Sequence, residues 1–307
     1  MHSNKAAIDS LQLTKAYRSN DPPAVADLTL KIEAGCVFGF LGPNGAGKTT
    51  VLKMLLGLTR PSSGKALLFG RPIDRPHSRE RVGYLPELFR YPPWLTPREV
   101  LDYHAALAGV PHAGRMTEIE RVLSMVGLAS RAADRTGTFS KGMQQRLGLA
   151  VALLGHPRLV FLDEPTSALD PLGRVDVRDI VRGLRDESTT VFINSHLLTE
   201  VEQLCDRVAF FRKGRIVADG SIDGIVGSSR GVRIKLDTQA NGVATNALRA
   251  FGQVRIDGDT IALSEITTAQ VPDAVAALVA RGMRIRAVIP LSRTLEQRFL
   301  ELMDDKC

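Results

Sequence analysis

The run Cys36-Val37-Phe38-Gly39-Phe40-Leu41 leads straight into Gly42-Pro43-Asn44-Gly45-Ala46-Gly47-Lys48-Thr49, and Thr50 to Leu58 follows with helical periodicity. An uninterrupted apolar run bounded by glycines is what a strand buried on both faces requires. A glycine-rich turn between such a strand and a helix leaves the chain few alternatives. Its backbone N–H groups face inward around an anion, and glycine at 42 and 47 permits the close approach. Pro43, Asn44, Gly45 and Ala46 fill the four positions between those glycines. Lys48 then brings positive charge to the β/γ oxygens of a nucleotide, Thr49 offers a hydroxyl to Mg²⁺, and a helix starting at Thr50 adds its dipole. The expected fold is therefore α/β with a parallel core.

The flanking segments extend that expectation. Ala7 to Leu13 and Leu28 to Ile32 alternate apolar and polar residues around an Asp21-Pro22-Pro23 turn, which predicts an antiparallel start. From Thr96 to about Leu128 strand character is absent and helical spacing takes over, as at Val100, Tyr103, His104 and Leu107. Leu159 to Leu162 and Thr190 to Ile193 are short apolar runs, each after a helical pattern, as parallel strands with crossover helices are. Val208–Phe211 and Arg215–Ala218 predict a late hairpin.

After Gly227-Ser228-Ser229 the pattern becomes a small β-α-β-β-α-β repeat, the order of a ferredoxin-like unit with one extra helix. Two domains are expected: 7–228, with a helical subdomain over about 88–146, and an accessory α+β domain over 229–307. A length of 307 residues accommodates both.

With 44% hydrophobic and 24% charged residues, the composition is that of a globular chain rather than a disordered or fibrous one. The longest apolar stretch, Leu147 to Gly155, is far short of the roughly 20 residues needed to span a bilayer. No secretory signal opens the sequence and the cysteines are scattered, so the cytoplasm is the expected compartment. The net charge of +7 is spread over many arginines. Arg71, Arg75, Arg79 and Arg81 cluster without an aromatic ladder for stacking bases, so no nucleic-acid partner is expected.

A second acidic motif completes the chemistry. Leu159-Val160-Phe161-Leu162-Asp163-Glu164 ends an apolar strand with two carboxylates, a costly placement unless they serve a purpose. Asp163 can hold magnesium through water and Glu164 can point at an attacking water, although capping of the next helix is an alternative use. Phosphoryl transfer needs positioning and charge neutralisation more than covalent chemistry, and these residues supply both.

Together with Phe139-Ser140-Lys141-Gly142-Met143-Gln144-Gln145-Arg146, these motifs resemble the ABC (ATP-binding cassette) ATPases over about residues 7–225. The octapeptide is similar to the family's signature, commonly Leu-Ser-Gly-Gly-Gln followed by Gln-Gln-Arg. Ser140 and Gly142 open a helix and form a second anion site. The resemblance implies a phosphate-loop cassette: a RecA-like parallel-sheet core, an antiparallel β subdomain and a helical subdomain. It also implies ATP and Mg²⁺ as cofactors, and a homodimer in which Ser140 and Gly142 complete the γ-phosphate pocket of the opposite subunit.

Further positions follow from the same resemblance. Asp170, in Ser167-Ala168-Leu169-Asp170, matches the D-loop that crosses the dimer interface. His196 matches the switch histidine that contacts the γ-phosphate, with Glu164 as general base. Tyr17 is similar to the aromatic that stacks on adenine. Glu87 stands where the family usually has the Q-loop glutamine and is expected to reach the magnesium or its water. Phe89, Tyr91 and Trp94 lie where the family receives the coupling helix of separate transmembrane permease subunits.

The departures at Lys141 and Met143 resemble the cassettes of ABC-2-type exporters, and the C-terminal region resembles the appended regions of drug, lipid, polysaccharide and copper-enzyme-maturation exporters. The expectation is an ATP-hydrolysing subunit that energises export, peripheral on the inner face of the cell membrane. Two rivals are a soluble ABC ATPase in DNA repair or translation, which would need a long coiled coil or second cassette, and a regulatory cassette without catalysis. The second would be expected to lack Lys48, Glu164 or His196, and all three are present.

Overall fold

The computed structural model describes residues 6–18, 20–167, 169–227, 231–240, 242–290 and 294–303. The chain divides after Ile222 into two compact units.

In the first unit, β1 (Ala6–Lys15) and β2 (Val25–Glu33) pair antiparallel. Next come the fully buried β3 (Val37–Leu41) and α1 (Lys48–Leu55). The helix begins at Lys48, two residues before the expected Thr50. β4 (Ser63–Leu68) pairs antiparallel with β1, and the two-residue β5 (Arg71–Pro72) extends that sheet to the order β2-β1-β4-β5. Strand β6 (Val82–Leu85) leads into the helical region. Neither β4 nor β6 shows a long alternating pattern, so neither stands out in the sequence as a strand.

The helical stretch consists of two helices. α2 (Pro97–Leu107) opens with a capping box: the Glu99 amide donates to Thr96 Oγ1 at 3.3 Å, and the Thr96 amide donates to Glu99 Oε2 at 2.7 Å. Pro111, which cannot continue a helix interior, separates it from α3 (His112–Met125). The signature segment opens α4 (Lys141–Ala152), followed by β7 (Leu159–Asp163), α5 (Pro171–Asp186), β8 (Thr190–Ser195) and α6 (Leu198–Leu204). The expected late hairpin is β9 (Arg207–Arg212) with β10 (Arg215–Ser221).

The central sheet has the order β10-β9-β3-β8-β7-β6, parallel from β9 to β6. Its interior strands are apolar on both faces because helices cover one face and the antiparallel sheet with α1 covers the other. On the α1 side Phe38, Phe40, Phe161, Phe192 and Phe211 pack with Val51, Leu52 and Leu55. Val160, Leu162, Val191 and Ile193 face α2 to α5. At Gly83 an added Cβ would lie 1.9 Å from the Ala152 carbonyl oxygen, so glycine is what lets α4 seat against β6.

After the short helix α7 (Ile222–Val226), the second unit runs β11 (Gly231–Leu236), α8 (Gly242–Leu248), β12 (Gln253–Asp257), β13 (Thr260–Ser264), α9 (Val271–Val279), β14 (Ile285–Pro290) and α10 (Leu295–Met303). Its sheet has the order β12-β13-β11-β14 with every pair antiparallel, the ferredoxin-like arrangement expected from the repeat. Val232, Ile234, Ile261 and Leu263 bury one sheet face against Leu248 and Leu278.

Candidate functional site: a phosphate loop facing three carboxylates

The loop between β3 and α1 has the backbone that its sequence demands. Gly45 and Gly47 adopt φ of 79° and 106°, in the left-handed region that glycine reaches without strain. A Cβ at Gly47 would lie 2.1 Å from the Ala24 carbonyl oxygen, and one at Gly42 would lie 2.1 Å from that of Phe211. Gly47 to Ala is therefore expected to destabilise the fold by about 1–3 kcal/mol. At Gly142, where an added Cβ makes ordinary contacts with Leu169 Cδ2 at 3.5 Å and Ser140 Oγ at 3.9 Å, alanine should stay within about 1 kcal/mol of the parent. Urea midpoints of the two variants check the contrast.

Lys48 is buried, and its Nζ donates to the carbonyl oxygens of Gly42 at 2.7 Å and Pro43 at 3.2 Å. No side chain caps α1, so its first-turn amides remain oriented toward the loop. Thr49 is exposed at the rim. Thr50 is half-buried, with its Oγ1 3.4 Å from the hydroxyl of Tyr17. The Tyr17 ring itself is 62% exposed, so an aromatic face is available beside the loop rather than spent in the core.

Across from the loop, Asp163 ends β7 and is 2% exposed, while Glu164 turns the chain at φ 53°. The Glu164 amide donates to the Asn194 carbonyl oxygen at 2.8 Å, which ties this turn to β8. His196 Nδ1 lies 2.8 Å from Glu164 Oε2, at ion-pair distance. No aligned hydrogen-bond donor serves that oxygen among the described residues, so it keeps an acceptor site for another molecule. Asn194 Nδ2 donates to Asp163 Oδ1.

The electrostatics are unbalanced in one direction. Burial pushes the Asp163 carboxyl above the ordinary range, and Glu87 and Glu164 push it further, against the opposing Asn194 hydrogen bond and Lys48 charge. Burial also lowers Lys48, while Glu164, Asp163 and Glu87 hold its proton on. Three carboxylates thus bear on one ammonium.

No group of three His, Cys, Asp or Glu that could hold a metal by itself occurs among the described residues. A hydroxyl and isolated carboxylates instead suit a hard, hydrated cation such as Mg²⁺, which takes one or two carboxylates and fills its other positions with water and phosphate.

The loop shares one cleft of about 440 Å³ with two of the carboxylates, lined by Asn44, Gly45, Gly47, Lys48, Thr49, Thr50, Glu87, Glu164, Asn194 and His196, while the buried Asp163 is not among its walls. Ser140, Gly142 and Asp170 are not among its walls. They line a separate cleft of about 620 Å³ with Lys141, Arg146 and Gly173. Ser140 Oγ caps α4 by accepting from the Met143 amide at 3.2 Å, and Asp170 Oδ1 caps α5 by accepting from the Gly173 amide at 2.8 Å. Met143 is half-buried against the helical core, whereas Lys141 projects to solvent. The sequence therefore departs from the common signature once for packing and once at the surface.

Two residues close to this chemistry have no role assigned by the motifs. Asn194 supports both carboxylates. Buried Gln145 donates from Nε2 to the Pro165 carbonyl oxygen at 3.0 Å, linking the signature helix to the turn after Glu164. The sequence signal for Asn194 is an amide after the apolar run Val191-Phe192-Ile193, two residues before His196.

A glycine cradle at a helix start, facing carboxylates at the ends of parallel strands, defines a phosphate-loop nucleotide-binding cassette. A family described as "ABC transporter" matches residues 25–167. An uncharacterized ABC transporter ATP-binding protein of Synechocystis is 41% identical over 236 residues, which is 75% of this chain and 67% of that protein. YhcH of Bacillus subtilis, described in the same words, is 34% identical over 311 residues, covering 97% of this chain and 96% of its own. The bacitracin transport ATP-binding protein BcrA of Bacillus licheniformis is 39% identical over 219 residues, 70% of each chain. Among solved structures, an ATP-binding subunit of an ABC transporter superposes with a TM-score of 0.66 at 28% identity, covering 71% of this chain and 91% of that one. The chain belongs to the ABC transporter family, as an ATP-binding subunit with ATPase activity.

Proposed function

We propose that two copies of the chain close around two ATP molecules, the phosphate-loop cleft of each copy being completed by the Ser140–Gly142 face of the other. One observation carries this reading. Within a single chain the two phosphate-facing motifs line different clefts, and Ser140 and Gly142 line one that a second copy's ligand can approach. Asp170, on that same wall, lies at the crossing between copies.

In the closed pair, Tyr17 stacks on adenine, the amides of residues 42–50 surround the phosphates, and Lys48 neutralises them. Thr49, Glu87 and Asp163 are the residues that would hold Mg²⁺, which when bound neutralises phosphate charge. Glu164 orients the attacking water and accepts its proton, and His196 contacts the γ-phosphate beside it. Glu87 in the usual glutamine position deepens the negative charge, so the metal dependence of this cassette should be steep.

Hydrolysis on this reading drives export through separate transmembrane subunits, at the inner face of the membrane. The Ser-Lys-Gly-Met signature supports that direction, and the likeness to a bacitracin transport protein supports transport itself. The docking surface is apolar: Phe89 and Tyr91 pack inward, while Leu88, Trp94, Tyr103 and Leu107 stay exposed around α2. No helix among the described residues is long and apolar enough to cross a membrane. The region over 229–307 is an accessory domain to the cassette over 7–228.

Ser140 to Arg tests the shared site. It should leave ATP affinity of the isolated chain unchanged and lower hydrolysis by about 10²-fold, as loss of a preorganised donor does. Equal losses of affinity and rate, independent of protein concentration, would place Ser140 in the same-chain pocket and overturn the proposal.

A further inference from the structure

We propose that Asn194 is a positioning residue of the hydrolytic site: its amide nitrogen holds the Asp163 carboxylate in one orientation, and its amide oxygen accepts a hydrogen bond from a water bound to the ATP-associated cation. The inference rests on the reading of Asp163 as a carboxylate that faces Mg²⁺.

The register makes the contact unavoidable. Strands β7 and β8 run parallel with Phe161 beside Phe192 and, two residues on, Asp163 beside Asn194. Phe161 and Phe192 pack with their rings tilted at 49° and 5.4 Å between centroids, so the side chains of this register are in contact on this face. The same face is apolar along β3, where Phe40 is the partner of Asn194. It is polar at Asp163 and Asn194, toward the C-terminal ends of β7 and β8.

Asn194 is 2% exposed, as is Asp163. A carboxylate only accepts, so the amide must turn Nδ2 toward it, and Oδ1 is then committed to the opposite side. That oxygen has no partner among the described residues, although Asn194 lines the nucleotide cleft. A buried acceptor left without a donor costs stability, and it is tolerated where a ligand or its water supplies the donor. A residue that merely fills space between strands would carry no such oxygen.

The backbone of Asn194 serves the second carboxylate. Its carbonyl oxygen accepts from the Glu164 amide at 2.8 Å and so holds that residue in its left-handed turn. Backbone and side chain of one residue therefore set the positions of both acids. Only the side-chain half is open to mutation without breaking the turn.

The test uses the full chain, a fluorescent ATP analogue and Mg²⁺ titration, with binding in EDTA as reference. Asn194→Leu keeps the bulk and removes both polar atoms, Asn194→Ser keeps a shorter polar group, and Asp163→Asn is the control. Asn194→Leu should bind nucleotide normally in EDTA but need about 10–100-fold more Mg²⁺ for the metal-dependent gain, the usual effect of losing a partner behind a metal ligand. Asn194→Ser should fall between it and the parent, and it carries the test alone if Asn194→Leu fails to fold by circular dichroism. An unchanged Mg²⁺ requirement in the folded Asn194 variants, with a raised one in Asp163→Asn, would make Asn194 a space-filler and overturn the proposal. An unchanged requirement in Asp163→Asn would instead remove the metal reading of Asp163 and the proposal with it.

Discussion

Glu164 to Gln is expected to preserve ATP binding while lowering hydrolysis by about 10²–10⁴-fold, the range contributed by a positioned general base. The substitution keeps the shape of the side chain and removes its charge. Glu164 is held by its backbone, through the amide bond to the Asn194 carbonyl oxygen, so the turn should survive the change. What is lost is the acceptor character of Oε2, the oxygen that lies 2.8 Å from His196 Nδ1 and has no aligned donor among the described residues. Removing one of the three carboxylates that bear on Lys48 also lessens repulsion toward the nucleotide phosphates. Binding should be equal or tighter, and ATP-bound dimers should accumulate. Single-turnover hydrolysis and light scattering in ATP measure the two effects, and parental turnover would remove Glu164 from its role.

Lys48 to Ala acts on the other side of the balance. Its ammonium is buried, engaged with two loop carbonyl oxygens, and bears the field of Glu164, Asp163 and Glu87. Truncating one member of a buried, hydrogen-bonded charge arrangement costs about 2–5 kcal/mol. The loss should appear in nucleotide affinity itself, because the phosphates then meet three carboxylates without the lysine charge. Equilibrium binding of ATP reads this directly, whereas Glu164 to Gln should leave it intact. Normal affinity in the lysine variant would contradict the loop reading. The opposite responses of two residues in one cleft separate binding from chemistry.

Much of this site was legible in the residues alone, and the reason is local. Gly42 to Thr49 is a contiguous motif whose geometry follows from glycine backbone freedom and strand–helix order, so reading it requires no distant partner. The alternation in residues 231–290 likewise predicted the ferredoxin-like order, because each short strand and helix shows its period. Strands β4 and β6 were less legible. Their Gly64 and Gly83 weaken the alternating signal, and the tight approach that makes Gly83 necessary is to Ala152, far along the chain. Pro111, at the start of α3, is the local signal of its split from α2.

Sequence by itself determined the chemistry this protein has available: a phosphate cradle, two carboxylates after an apolar run, a histidine after another, and a signature that opens a helix. Only the tertiary structure decided which of these share a cleft. It brings residues near 44, 87, 164, 194 and 196 together because parallel strands end side by side, and it places Ser140 and Asp170 on a different wall. The physical reason is that period and propensity act over a few residues, whereas strand order and register are set by burial of the whole sheet between its covering layers. The Asn194–Asp163 contact is such a product of register.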